Sequence, residues 1–221
     1  MGEAQRQETI ALPPTVPIFP LGGALLLPRT RLPLNIFEPR YLDMVRDALS
    51  GNQVIGMVQP RDPANYASER QAEIYPVGCL GRITEHRETS DGRYLIVLEG
   101  VSRFRILREL DAPTAYRQLD VSYEEFRDDA EPAANVLQTR DSLIRDLKGF
   151  LVQLGAEVDM AEIETTPDEQ LVNSLAIMCP FPGIEKQALL EAPTLEERAA
   201  VLCTLMALNP TARPDPATTS H

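Results

Sequence analysis

The thiols, imidazoles and amines of this chain are few: Cys79, Cys179, Cys203, His86, His221, Lys148 and Lys186. They are the groups best suited to nucleophilic, acid–base or metal chemistry, and their spacing argues against each use. A phosphate-cradling loop needs a lysine directly after a glycine-rich turn, and neither lysine follows one. A serine–lysine pair fails as well, because Lys148 falls on the solvated face of a helical apolar stripe. A Ser-His-Asp relay would have to draw on His86 or His221. His86 stands among Glu85, Arg87 and Glu88, and His221 is the last residue of a polar tail. No G-x-S-x-G elbow occurs, and neither C-x-x-C nor H-E-x-x-H spacing occurs. Glu157, Asp159, Glu162 and Glu164 read as an acidic linker without the glycine-bearing spacing of a calcium loop. The glycines of "PLGG" read as a turn, since no third glycine and no helix follow. These residues predict no catalytic group, no metal and no cofactor, and so a protein that is not an enzyme.

Composition narrows the partners. The chain has 221 residues, with 21 basic against 33 acidic side chains, a net charge of −12. A field of that sign disfavours nucleic acid and anionic membranes. The acidity is concentrated late: residues 130–221 hold 6 basic and 14 acidic residues, against 15 and 19 before them. With no tryptophan, no aromatic platform for single-stranded nucleic acid stands out. The N-terminus has no cationic stretch followed by an apolar run, and nowhere do eighteen apolar residues follow one another. Three scattered cysteines in apolar surroundings read as small buried hydrophobes in a reducing compartment. The expected location is cytoplasmic, with no membrane contact.

The elements follow from periodicity. Prolines at 17, 20, 28 and 33 exclude helix and leave short strands at Val16–Phe19, Leu25–Leu27 and Leu32–Ile36. A helix fits Pro39–Leu49, with proline in its first turn and Gly51 at its end. "QVIGMVQP" is a strand that stops at Pro60, and residues 60–72 form a surface loop. Val77, Cys79 and Ile83 alternate on one face, and Asp91-Gly92 predicts a two-residue hairpin loop. Tyr94–Leu98 is apolar throughout, as for a strand buried on both sides. Gly100 turns the chain, "SRFRILREL" follows, and a last strand lies within Tyr116–Phe126. Seven or eight strands with one inserted helix suggest a closed, mainly antiparallel barrel. After Pro132 the period becomes helical. Val136 to Leu154 form a long amphipathic helix ending at Gly155. Capping boxes at Thr166–Glu169 and Thr194–Glu197 open two more helices, with a short one at Glu185–Glu191 between them.

Three ordered blocks carry a resemblance: "VPIFPLGGALLLPRTRLPLNIFEPRYLDMVRDAL", "VGCLGRI…DGRYLIVLEGVSRFRI" and "GIEKQALLEAPTLEERAAVL". Together they resemble the N-terminal domain of the Lon ATP-dependent protease over Val16 to Leu208. The resemblance implies an α+β fold: a PUA-like antiparallel pseudo-barrel with one inserted helix, then a C-terminal helical bundle. The expected organisation is a flexible arm at 1–14, the barrel at 15–127, the bundle at 128–209 and a disordered tail at 210–221. The sequence lacks the ATPase and protease modules that follow this domain in Lon. It thus looks like a stand-alone copy of a region that serves substrate recognition and assembly.

The implied function is non-catalytic binding of unfolded or partly folded polypeptide, or of a protein partner, with self-association as a further possibility. The residues assigned to binding are Phe37, Glu38, Arg40 and Tyr41, an aromatic anchor with charges at a helix start. Phe37 and Tyr41 lie four apart, a spacing that equally suits core positions. The alternative is an RNA-associated role, since PUA-like barrels also occur in RNA-handling proteins. That role needs Arg29, Arg31, Arg82, Arg103 and Arg105 to converge on one uncompensated face.

Overall fold

The structure, a computed structural model, describes residues 12–62, 72–133, 137–156 and 159–208. The expected arm, apart from residues 12–14, the centre of the 60–72 loop and the expected tail lie outside them.

Six strands form one sheet: β1 (Thr15–Pro20), β2 (Arg31–Ile36), β3 (Val54–Val58), β4 (Val77–Glu88), β5 (Tyr94–Glu109) and β6 (Gln118–Ser122). Their order is β2-β5-β4-β3-β1-β6, and β6 also pairs with β5. That second pairing closes a ring of five strands and leaves β2 outside it. All contacts are antiparallel except β1 with β3, whose connection carries β2 and helix α1 (Pro39–Ser50). The ring interior is filled by Val16, Ile18, Val54, Val58, Leu80, Phe104, Leu119 and Val121, with no polar side chain among them. A wall of side chains that meet like this is a packed core rather than a pore.

The sheet has fewer strands than the seven or eight expected, for two reasons. Leu25–Leu27 are fully buried but form no strand. They cross β5 at Gly100, where the Arg29 N–H donates to Gly100 O (2.7 Å) and the Gly100 N–H to Thr30 O (2.9 Å). Gly100 therefore does not turn the chain. It lies inside a continuous sixteen-residue strand, at the place where another segment comes into contact with it. β5 before this point pairs with β2 and after it with β6. Tyr94, Ile96 and Leu98 are buried while Leu95 and Val97 are only partly so; this part of β5 buries one face, not the two expected. The last strand is confined to β6, and a 3₁₀ helix, Glu124–Ala130, follows it.

The β4–β5 hairpin differs from expectation by one residue. Thr89 and Arg93 form a further pair, and the Gly92 N–H donates to Thr89 O (3.0 Å) with Gly92 at φ 80°. That is a three-residue loop with glycine in the left-handed position. Asp91 is drawn to the Arg93 guanidinium, so the loop carries its own ion pair.

The helical part comprises α2 (Arg140–Leu154), α3 (Met160–Thr165), α4 (Asp168–Met178), α5 (Gly183–Glu191) and α6 (Leu195–Leu208). α2 begins later than predicted, with residues 134–136 outside the described set, and ends at Gly155 with φ 64°. The box at Thr194 forms: the Glu197 N–H donates to Thr194 Oγ1 (3.2 Å) and the Thr194 N–H to the Glu197 carboxylate (3.1 Å). The box at Thr166 does not. Thr166 Oγ1 donates to Glu162 O instead (2.8 Å). Glu169 pairs with Arg29, and Asp168 pairs with Arg140. Long-range cations outcompete the local cap. The acidic linker is itself partly helical, as α3, with Asp159 accepting from the Ala161 N–H.

The helices cover the barrel's outer surface, and one core cluster runs continuously from Phe19 and Leu25 to Leu202 and Met206. Burial pushes the Cys179 thiol up to about 11, and Cys203, half-covered beside Asp146, likewise to about 11. Cys79, fully buried, is pushed up further. The folded protein thus keeps these thiol protons to a higher pH than the unfolded chain. Stability is expected to hold below about pH 9 and to decline from there towards pH 11. Thermal unfolding measured across that range checks the sign. At about pH 8 a disulfide reagent should label the folded protein slowly and all three thiols promptly in denaturant.

Candidate functional site

The residues expected to bind stand where β2 passes into α1. Pro39 sets the first turn of α1, and Tyr41, Met44, Val45 and Ala48 form its buried stripe. The helix phase therefore settles the ambiguity of the Phe37/Tyr41 spacing. Tyr41 is 3% exposed and meets the Phe19 ring edge-on at a centroid distance of 4.4 Å. Phe37, outside the helix, is 48% exposed. Glu38 and Arg40 pair with each other at 2.9 Å, and the Arg40 guanidinium lies 4.7 Å from the centre of the Tyr41 ring. Four residues adjacent in sequence thus become three surface groups standing on a buried aromatic base.

Arg40 and Tyr41 also line a cleft of about 420 Å³. Its opposite wall is the β5–β6 connection, including Asp111, Thr114, Tyr116 and Arg117. Tyr116 donates to Asp47 Oδ2 of α1 at 2.7 Å, tying that connection to the helix. Burial, and then the Asp47 carboxylate, push the Tyr116 phenol above its ordinary range. Arg117 is held bidentately by Glu109 (2.8 and 2.7 Å) and donates to Ala72 O. The cleft has charges of both signs and two tyrosines, which suits a polypeptide segment better than a single anion.

The arginine stripe does not form. Arg103 is buried, and Arg29, Arg31 and Arg105 pair with Glu169, Glu85 and Glu125. Arg82 is half-buried on β4, so the five present no shared uncompensated face to a phosphate backbone. Among the described residues no group of three or more His, Cys, Asp or Glu side chains is placed to hold a metal ion. No described helix is long and apolar enough to cross a membrane.

The polar residues that organise the molecule were not singled out as such by the sequence. Arg103, 5% exposed, donates to both carboxylate oxygens of Asp129 (2.8–3.2 Å) and to the carbonyls of Leu190, Ala192 and Pro193 (2.6–3.2 Å). Its guanidinium also lies 4.6 Å from the Phe126 ring centre. Lys186 Nζ donates to Gly23 O (2.9 Å) and Ile177 O (3.0 Å), and Gln187 Nε2 donates to Val77 O (3.1 Å). These bonds fasten the helical part to the barrel. Burial lowers the Lys186 ammonium below its ordinary value.

Residues 15–207 match the family described as the ATP-dependent protease La (LON) substrate-binding domain. The chain belongs to this family. It is 28% identical over 199 residues to the Lon protease of Anaeromyxobacter dehalogenans, covering 88% of this chain and 23% of that protein. It is 26% identical over 197 residues to Lon protease 2 of Myxococcus xanthus, covering 88% and 24%. The chain thus spans about a quarter of the length of these Lon relatives. Its fold is that of the Lon N-terminal domain protein of Xanthomonas campestris, with a TM-score of 0.61 at 23% identity, covering 86% of this chain and 97% of that one. The N-terminal domain of the Mycobacterium avium complex Lon protease gives 0.64 at 16% identity, covering 87% and 98%.

Proposed function

We propose that this Lon-family chain is a polypeptide-binding module that performs no chemistry of its own, acting in the cytoplasm. The observation that carries this reading is the match of residues 15–207 to a substrate-binding domain. The occupant is an unfolded or partly folded polypeptide, or a protein partner, and the contact surface is centred on Phe37, Glu38 and Arg40. Tyr41 supports them from beneath. An exposed aromatic beside an ion pair whose arginine lines a cleft of about 420 Å³ fits the anatomy of a contact surface.

The test is fluorescence anisotropy of a labelled unfolded polypeptide, with a Phe37→Asp/Arg40→Glu variant in parallel. Phe37 is exposed and Arg40 partly so, and the unfolding midpoint of the variant establishes that it is folded, whereas Tyr41→Asp would disturb the core. The variant is expected to bind about tenfold more weakly or worse. Equal binding by the variant would remove the α1 surface from the proposal. No saturable binding by the wild type would remove the polypeptide reading itself.

A further inference from the structure

The molecule has a second surface, at the other end of β2 from Phe37, that the proposed contact surface does not use. From Gln170 to Ile184 the chain has fifteen residues without a charge, and from Pro20 to Pro28 nine more. The structure brings the middles of these stretches together. Lys186 Nζ joins Ile177 O to Gly23 O, while Gln59 accepts from the Gly23 N–H and donates to Ala24 O. The α4–α5 elbow so formed projects Met178, 79% exposed, and Ile184, 67% exposed, with Pro182 exposed between them. Large apolar side chains grouped this way, in a chain with so many charges, mark an interaction surface.

The elbow opens into a cleft of about 450 Å³ between the Arg29–Arg31 turn and α4. On α4 it is lined by Gln170, Asn173, Ser174, Ile177 and Met178, a spacing that places all five on one helix face. The cleft runs from polar groups at Arg31 and Gln170 to apolar ones at Ile177 and Met178. The two arginines at its mouth are already matched by Glu169 and Glu85. Beyond those matched arginines the chain as a whole is acidic, with 33 acidic against 21 basic residues. The field around the uncharged patch is therefore negative, which favours an occupant with cationic flanks and opposes a second copy of this −12 chain.

We infer that the α4–α5 elbow and its cleft dock an extended polypeptide segment with an apolar centre and lysine or arginine at its flanks. The inference rests on the polypeptide-binding reading and names the class of segment preferred and a second place of contact. Met178 and Ile184 supply the apolar anchors. Met is suited to varied sequences because its unbranched, polarisable side chain adapts to what it meets. The acidic surroundings attract the flanking cations over about a Debye length, so association should slow as salt is raised.

Two short labelled peptides test this, with the same apolar centre and either lysine or glutamate flanks. They are titrated against the wild type, Met178→Asp/Ile184→Asp, Met178→Leu, and the α1 variant Phe37→Asp/Arg40→Glu. The lysine-flanked peptide is expected to bind the wild type and Met178→Leu alike, and the double aspartate variant about tenfold more weakly or worse. Unfolding midpoints of the variants establish that each is folded, and Ile184→Asp alone serves if the double variant is not. Unchanged binding by the aspartate variant overturns the inference; if the α1 variant then loses binding, the polypeptide reading stands without it. Equal affinity for the glutamate-flanked peptide also overturns it. Failure of the wild type to bind either peptide or an unfolded polypeptide overturns both readings. A wild-type dimer in sedimentation that the aspartate variant lacks would assign the elbow to a second copy and overturn the peptide assignment.

Discussion

Asp129→Ala is expected to destabilise the fold by about 3–5 kcal/mol, the usual cost of stranding a buried charge. Asp129 and Arg103 are nearly inaccessible, at 7% and 5% side-chain exposure. Without the carboxylate, the guanidinium remains in the interior with three carbonyls and the face of Phe126 but no counter-charge. The backbone N–H of Arg103, now bonded to Asp129 Oδ2 at 2.8 Å, loses its acceptor too. Urea unfolding measures the loss, and a cost below about 1 kcal/mol would be that of a solvated pair. A double variant, Arg103→Met/Asp129→Leu, separates the contributions. Replacing a buried ion pair by apolar groups is often close to neutral. Here the carbonyls of Leu190, Ala192 and Pro193 would lose their donor, so recovery should be incomplete. The shortfall is a measure of how strongly Arg103 fastens α5 and α6 to the barrel.

The second large effect is expected at Gly100. A Cβ built there falls on the carbonyl oxygen of Leu27, with the carbonyl carbon at 2.7 Å and the nitrogen of Pro28 at 3.2 Å. These are backbone atoms of a buried segment, and backbone cannot swing aside as a side-chain tip can. Gly100→Ala should cost about 3 kcal/mol, and Gly100→Val more, as overpacking against an unyielding neighbour. Gly92→Ala is the instructive contrast. Nothing lies within 4 Å of a Cβ there, and the cost comes only from its φ of 80°, about 1 kcal/mol. The denaturation midpoint should be lowest for Gly100→Val, higher for Gly100→Ala and highest for Gly92→Ala.

These two sites also show where sequence reading succeeds and where it stops. α1, the hairpin and the Thr194 box are written within a few residues of themselves: a proline, an Asp-Gly pair, a threonine three before a glutamate. Periodicity and turn residues find them, with an error of one residue in the hairpin loop. Gly100 looks like a turn because glycine often makes one. What requires it is Leu27, whose approach is invisible in one dimension. Arg103 alternates with Phe104 and so reads as facing outward. It does face out of the ring, but that face lies under the helical layer, and a period of two cannot distinguish water from a second layer of protein. Thr166 fails as a cap for a related reason, since Arg29 and Arg140 reach Glu169 and Asp168 across 140 and 28 residues. Of the proposed α1 surface, the residue types were legible and the burial of Tyr41 was not. The exposure of Met178 at the elbow is not legible in its local sequence, because it depends on where Lys186 joins Ile177 to Gly23.

The ring of five strands has no free margin, and β2 supplies the sheet's one open margin among the described residues. Pro33 stands in the middle of that strand, opposite Val97 of β5. A proline is tolerated there only because its nitrogen needs no partner on the outer side. An incoming strand would find a gap where a donor is needed, so the sheet does not template its own extension. A protein that carries exposed apolar side chains to meet other chains thus presents an edge blunted against strand addition, and Pro33→Val is the change that would remove that feature.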